Sequence, residues 1–372
     1  MIATSLRRWT GASALALAVL GGTATQAAAA APSLQATLND LVAKNGFPAA
    51  LASVQARDGK LRDLTAEGEE RPPADGYVRI GSNTKTFTAV TVLQLVGEGK
   101  IKLDAPVEKY LPALLRGKGI DGRRITVRQL LQHTSGLPEY TDTLFADGIL
   151  PKLHEHYEPR QLLDMALRKK AQFAPGTKWV YTNTNYIVAG LLIEKVTGHR
   201  AGEEITRRTV DKIGLKRTYF PADGDEKVRD PHPTGYHRDE PEQPMTDVTE
   251  LDPSGAWTAG QMISTPSDLN RFFTALLDGK LLKPAQLKQM RTTVAAPQIG
   301  RDGGYGLGLI RVKLSCGVTA WGHGGSIPGY YTSNAATEDG RAAAIAVTHI
   351  PTSASAQQQV EATLDTALCS QR

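Results

Sequence analysis

The sequence predicts a mixed α/β (α+β) fold: an antiparallel sheet built from both chain ends, flanked by terminal helices, with an all-helical insertion between. Three observations predict it. Segments of β-type alternation lie near the N-terminus (49–68) and again in the last quarter of the chain (304–350). The stretch between them is mostly helical in its spacing, and a helix-type segment stands at each end. Short turns join consecutive strands, which calls for antiparallel pairing. On this pattern residues 31–100 and 260–372 form the α/β subdomain, and residues 101–259 form a mainly helical one.

The elements follow in order. "SLQATLNDLVAKNGFPA" places Leu34, Leu38, Leu41 and Val42 at helical spacing and stops at Gly46 and Pro48. "AALASVQARDGKLRDLTAEG" reads as two strands around an Asp58-Gly59 turn. A short strand, "YVRIG", runs into Ser82. From Ser82 to Gly97 the pattern is helical, with Phe87, Val90, Leu93, Leu95 and Val96 on the buried side. "ITVRQLLQHTSGL" starts a helix near Thr126 that ends by Gly136; "EPRQLLDMALRKK" and "NTNYIVAGLLIEKVTG" are two more. Residues 221–256, rich in Pro, Asp and Gly, read as a long excursion over the surface. After the capped helix "TPSDLNRFFTALLDG" come strands in "YGLGLIRVKL", "GVTAWGHGG", "YYTSNAATE" and "RAAAIAVTHI", then a last helix in "SAQQQVEATLDTAL". "GGYGLGL" is Gly-rich, but it lies in a strand pattern with no helix after it, so it reads as strand and not as a phosphate loop.

The first 30 residues stand apart from this fold. Arg7 and Arg8 precede an apolar run from Ala12 to Leu20, and small residues lead to Ala28-Ala29-Ala30. That order is a secretory signal with cleavage expected after Ala30; the arginine pair leaves the twin-arginine route open. The remaining 342 residues carry 41 Lys and Arg against 38 Asp and Glu, a net +3. So mild a balance, without a basic tract, points away from nucleic acid, and no later segment is long and apolar enough to span a membrane. The mature chain is expected to be secreted and monomeric. Its two cysteines, Cys316 and Cys369, are expected to form one disulfide in an oxidising compartment; two buried thiols are the alternative. Neither C-x-x-C nor H-E-x-x-H occurs, so no metal and no cofactor is expected, and "HEH" at His154–His156 reads as a solvated patch.

Three local signals carry chemistry: Ser82-Asn83-Thr84-Lys85, Tyr181-Thr182-Asn183 and His323-Gly324-Gly325. Singly each has a structural reading: a helix cap, a turn with a packed aromatic, a tight strand end. Together they form a nucleophilic set. A serine hydroxyl needs a base, and a lysine one helical turn away serves if it is neutral at working pH. That requires its pKa to fall by roughly three from about 10.4, near 4 kcal/mol, which burial can supply. Tyr181 can relay the proton, Asn183 can fix the lysine and hold a substrate amide, and the Ser82 N–H can form half of an oxyanion hole. The second N–H must come from a strand edge, where Gly324 and Gly325 let a substrate backbone lie close. No G-x-S-x-G occurs, which sets aside nucleophile-elbow hydrolases.

With these residues in view, the chain resembles the penicillin-recognising serine hydrolases, and within them the secreted D-alanyl-D-alanine carboxypeptidases. "RIGSNTKTFTAV", "LQLVGEGKIKLDAPVEKYLP", "ITVRQLLQHTSGL", "APGTKWVYTNTNYIVAGLLIEKVTGH", "GYGLGL" and "LSCGVTAWGHGG" carry the likeness in the family's order. The resemblance implies a β-lactamase/transpeptidase-like fold, with Ser82 as nucleophile, Lys85 as base, Tyr181 and His323 as proton carriers, and Asn183, Gly324 and Gly325 around the substrate. It places the second oxyanion N–H on Ser326 and pairs Cys316 with Cys369. The implied partners are a peptide or ester acyl donor, peptidoglycan stem peptides among them, and β-lactams as inhibitors or substrates. Two departures bear on the donor: Gly324 stands where a threonine is usual, and Ile310, followed by Arg311, where the peptidases carry an arginine. The same machinery serves esterases, D-amino-acid amidases and β-lactamases. A non-catalytic wall-binding or β-lactam-sensing module is the alternative of another class, and the complete acylation set argues against it.

Overall fold

A computed structural model describes residues 33–68, 71–240, 242–299 and 303–370. The expected signal segment, 1–30, lies outside them. Eight strands form one antiparallel sheet: β1 Ala49–Gln55, β2 Leu61–Glu67, β3 Val294–Ala295, β4 Gly304–Tyr305, β5 Ile310–Lys313, β6 Thr319–Ile327, β7 Tyr330–Thr337 and β8 Ala342–Val347, in the spatial order β2-β1-β8-β7-β6-β5-β4-β3. The sheet joins the chain's ends where β1 pairs with β8, Ala52 opposite Ile345. The principal helices are α1 Leu34–Ala43, α2 Thr84–Gly97, α3 Val127–Leu131, α4 Pro159–Leu167, α5 Thr184–Thr197, α6 Pro266–Leu277 and α7 Ala354–Cys369.

Caps fix several helix starts. Ser33, Thr265 and Ser353 each accept a backbone N–H of the first turn, and Thr126 with Gln129 makes a reciprocal capping box. One face of the sheet is covered by the terminal helices: Leu34, Leu38 and Leu41 of α1 and Val360, Leu364 and Leu368 of α7 pack with Ala52, Ile345 and Val347. The other face belongs to a larger core that includes Leu51, Ile80, Phe87, Phe272, Leu162 and Ile187. Cys316 is bonded to Cys369, tying the turn between β5 and β6 to the last residue of α7.

Four details differ from the sequence expectation. Helix α2 is buried on every side from Thr84 to Leu93 rather than along one stripe; it is the central helix of the larger core. The helical region also carries two short antiparallel pairs, Arg116–Gly117 with Ile120–Asp121 and Tyr236–His237 with Thr246–Asp247. "YGLGLIRVKL" is two strands, β4 and β5, split by a tight turn in which Gly308 has φ +72° and its carbonyl accepts from Thr86 Oγ1. Finally, residues 221–256 are not merely a surface excursion. Arg79, fully buried, donates to the carbonyls of Glu226, Thr249 and Leu251, and so draws the segment's last part inward.

Candidate active site

Ser82 lies in a 3-10 turn, Gly81–Asn83, that runs directly into α2. Its side chain caps nothing, unlike the cap reading of "SNTK". Instead Lys85, one turn on and with no exposed surface, places Nζ 2.8 Å from Ser82 Oγ, 2.7 Å from Asn183 Oδ1 and 2.8 Å from the Ala259 carbonyl. Burial lowers the Lys85 pKa from an ordinary 10.5 to about 7, while the charge of Glu139 pulls it partly back.

The three contacts decide how a neutral Lys85 is oriented. The Ala259 carbonyl can only accept. Asn183 Oδ1 can only accept as well, because Asn183 Nδ2 is taken by Glu139 Oε2 at 3.2 Å. These two hold both N–H bonds of the neutral amine and leave its lone pair facing the Ser82 hydroxyl. That is the geometry a general base requires. Glu139, which also accepts from the Asn183 backbone N–H at 2.6 Å, thus sets the amide's orientation.

Tyr181 is within hydrogen-bond reach of Ser82, and burial pushes its pKa above the usual phenol value, so it holds its proton. Lys85 Nζ lies 4.9 Å from the centre of its ring. Asn83 supports the turn from below: its amide donates to the Ile80 carbonyl and to Thr332 Oγ1, and Asn334 donates to its oxygen.

Strand register decides which way the Ser326 N–H points. A two-residue turn, Pro328-Gly329 with φ +88° at Gly329, closes β6 onto β7, with Ile327 opposite Tyr330. Bonded pairs alternate along an antiparallel ladder, so Gly325 and His323 face β7 and the N–H groups of Gly324 and Ser326 turn to the other edge. On that edge β5 stops at Ile310, opposite Gly322. The edge beyond Gly322 is therefore open beside Ser82. Gly81 (φ +47°) permits the close approach: a Cβ there would lie 2.8 Å from the Ser326 nitrogen.

The expected residues are distributed as follows. Ser82, Lys85, Tyr181 and Asn183 converge, with Ser326 facing them across the cleft. Gly325 does not make room for a substrate; a Cβ on it would lie 2.0 Å from the Ile80 carbonyl, so its space is taken by the backbone that leads into Ser82. Gly324 is half-buried on the open edge. His323 departs furthest from its expected part as a proton carrier. It is 4% exposed, its Nδ1 lies 2.6 Å from the Gly324 carbonyl, and its Nε2 lies 3.0 Å from the Tyr305 hydroxyl. Burial and the nearby Lys85 lower its pKa to about 3, so it is neutral with both ring nitrogens engaged.

The cleft in front of Ser82 holds about 330 Å³; its apolar liners are Tyr140, Phe145, Ile149, Leu153, Leu251 and Ile327, and its charged ones are Asp252 and Lys152, whose Nζ is paired with the Glu155 carboxylate. Neither Ile310 nor Arg311 lines it. Its far wall is stitched from two loops. The Asp252 N–H donates to the Leu153 carbonyl (2.7 Å), the Tyr157 N–H to Ser254 Oγ (2.9 Å), and His156 Nδ1 to the Asp252 carboxylate (2.9 Å). Tyr140 ties its hydroxyl to the Gly255 carbonyl at 2.6 Å. Sequence reasoning missed this wall, together with Glu139, His133 and Tyr305. The one available signal was "HTSGLPEY", a helix end too rich in polar and aromatic residues for a plain turn.

A sequence model of the beta-lactamase family matches residues 34–368. Among solved structures the chain is similar to a D-stereospecific amidohydrolase from Streptomyces sp., at 41% identity over 89% of this chain and 97% of that one, with a TM-score of 0.83. It is also similar to the D-amino acid amidase of Ochrobactrum anthropi SV3, at 25% identity over 91% of this chain and 100% of that one, with a TM-score of 0.78. A penicillin-binding protein of Bacillus subtilis (strain 168) is 27% identical over 276 residues, 71% of this chain and 59% of that protein. The chain thus spans under two thirds of that curated relative's length.

Proposed function

The chain belongs to the beta-lactamase family of serine hydrolases, and from that premise we propose that it hydrolyses amides of D-amino acids with bulky apolar side chains through an acyl-enzyme on Ser82. The observation that carries this reading is the chemistry of the cleft. A largely apolar wall adjoins Ser82; the Lys152 amine on it is paired with Glu155, Arg311 lies outside the cleft, and Gly324 on the adjoining open edge has no hydroxyl for a terminal carboxylate. An amide or ester donor asks for no carboxylate contact. The likeness to a D-stereospecific amidohydrolase supports the handedness of the acyl group.

In the proposed mechanism the donor lies along the open edge of β6 with its carbonyl oxygen between the Ser82 and Ser326 N–H groups. Ser82 Oγ attacks as its proton passes to Lys85 Nζ. The oxyanion collapses, the C–N bond breaks, and the Tyr181 hydroxyl, resupplied from Lys85, protonates the departing amine. Water then enters, loses a proton by the reverse route, and releases the D-acid. His323 takes no proton in this scheme. Export of the chain is also proposed; the Cys316–Cys369 disulfide supports an oxidising compartment.

A D-alanyl-D-alanine carboxypeptidase acting on stem peptides uses the same residues, and the similarity to penicillin-binding proteins favours it as the second reading. A donor panel separates the two: D- and L-phenylalanine amide, a peptide ending in free D-Ala-D-Ala, and simple esters, with wild type and Ser82→Ala. Turnover of the D-amide, at least about tenfold slower turnover of the L-amide, and no turnover by Ser82→Ala are expected. Cleavage of the D-Ala-D-Ala peptide without the D-amide would overturn the proposal in favour of the second reading.

A further inference from the structure

His133 is fully buried, and among the described residues it is one of the few non-glycine residues in the left-handed region, at φ +59°. Such a conformation carries strain and persists only where the surroundings impose it. What surrounds it is Tyr181. The His133 carbonyl accepts from the Val180 N–H at 3.1 Å. Its ring Nδ1 accepts from the Thr182 N–H at 3.2 Å. The ring face stacks on the Tyr181 ring, with centroids 4.2 Å apart and planes 29° from parallel. One residue therefore grips Tyr181 from before, from after and across its face.

The remaining contacts fix the tautomer. Nδ1 lies 3.1 Å from Asn185 Nδ2, which is free to donate because Asn185 Oδ1 accepts from Ser135. With Nδ1 accepting from two N–H groups, the proton sits on Nε2, which lies 3.1 Å from the Tyr305 hydroxyl. Tyr305 in turn donates to His323 Nε2, and His323 Nδ1 donates to the Gly324 carbonyl. All donors in this chain point one way, from the Tyr181 loop to the open edge of β6.

We propose that His133 is the positioning residue for Tyr181, and that the His133–Tyr305–His323 chain braces the proton donor against the strand that carries the oxyanion hole. This rests on the role given to Tyr181 above. No other side chain supplies the same set: phenylalanine keeps the stacking face and loses all three in-plane bonds, whereas asparagine tolerates the backbone and keeps an acceptor without the face.

The test compares two donors with one acyl group, D-phenylalanine p-nitroanilide and its p-nitrophenyl ester, at one pH. The anilide must be protonated to leave; nitrophenolate need not be. In Tyr181→Phe the anilide kcat/KM, which reports only the steps through acylation, is expected to fall by about 10²-fold or more and the ester kcat/KM by less than about fivefold, while the shared deacylation step is left out of the comparison. His133→Phe is expected to reproduce this selective loss, and His133→Asn to show it in weaker form, about tenfold. Added to Tyr181→Phe, His133→Phe is expected to change the ratio no further, because both act through one group. Equal losses on the two donors, or a wild-type ratio in both His133 variants while Tyr181→Phe shifts it, would overturn the inference. An unchanged ratio in Tyr181→Phe itself would instead overturn the role of Tyr181. Should His133→Phe fail to fold, the asparagine variant carries the comparison.

Discussion

Glu139→Gln is the sharpest probe of the base. The carboxylate touches Asn183, not Lys85, yet it raises the lysine's pKa through its charge while burial lowers it. Contacts of 2.7 Å from Nζ to Asn183 Oδ1 and 3.2 Å from Asn183 Nδ2 to Glu139 Oε2, with one amide group between, keep the two charges within roughly 8 Å. At an effective dielectric of about 20, that separation gives about 2 kcal/mol, or about 1.5 in pKa. Glutamine keeps an oxygen for the Asn183 N–H groups and removes the charge. Burial brings the Lys85 pKa down to about 7, and the proposed acylation needs the amine neutral, so the acid limb of kcat/KM for wild type is expected near pH 7. In Glu139→Gln it is expected to move down by 1 to 1.5, with the plateau falling less than about tenfold. The assay is kcat/KM between pH 5 and 9 on a nitrophenyl ester that has no titrating group of its own. A limb that stays in place or moves up would refute the assignment of Lys85 as base. The stability sign follows from the same lowered pKa. Between about 7 and 10.5 the unfolded chain holds a proton on Lys85 that the folded chain lacks, so stability rises with pH across that window.

Three further outcomes are expected. Gly324→Thr, whose Cβ would meet the Thr332 carbonyl at a tight 3.3 Å, is expected to fold with a small loss of stability and to raise the rate on D-Ala-D-Ala peptides relative to D-amides, measured as a ratio of kcat/KM. Phe145→Ala thins the apolar wall and is expected to raise KM for D-phenylalanine amide about tenfold at little change in kcat, with a smaller effect on D-alanine amide; that corresponds to about 1.4 kcal/mol of lost contact. The double variant Cys316→Ser with Cys369→Ser opens a link of 53 residues and is expected to lower unfolding stability by about 2–4 kcal/mol in urea titrations while leaving kcat unchanged, because both cysteines lie on the helix-covered face of the sheet, away from Ser82.

Periodicity alone located the terminal helices, both early strands and β6 to β8, because each buries a face that recurs every 3.6 or 2 residues. It did not locate β3, two residues long, or the turn inside "YGLGLIRVKL", because a left-handed Gly308 in an apolar run leaves the alternation intact. Helix α2 likewise looked one-sided because its Thr residues count as polar. In the fold they are buried, and Thr86, Thr88 and Thr91 satisfy their hydroxyls on the carbonyls of Gly308, Thr258 and Phe87.

The chemistry divides along the same line. Spacing within one turn determined that Ser82 and Lys85 meet, since i and i+3 share a helix face whatever the rest of the chain does. Composition determined that two cysteines were available to pair. Only the tertiary structure decided that Lys85 is dry enough to be a base, that its lone pair faces Ser82 because Ala259 and Asn183 hold its protons, and that His323 is turned inward to Tyr305. It also decided that Leu251 and its neighbours in a Pro- and Gly-rich segment wall the cleft. Desolvation and hydrogen-bond direction depend on atoms brought together from distant parts of the chain, and no local pattern of residue types records them.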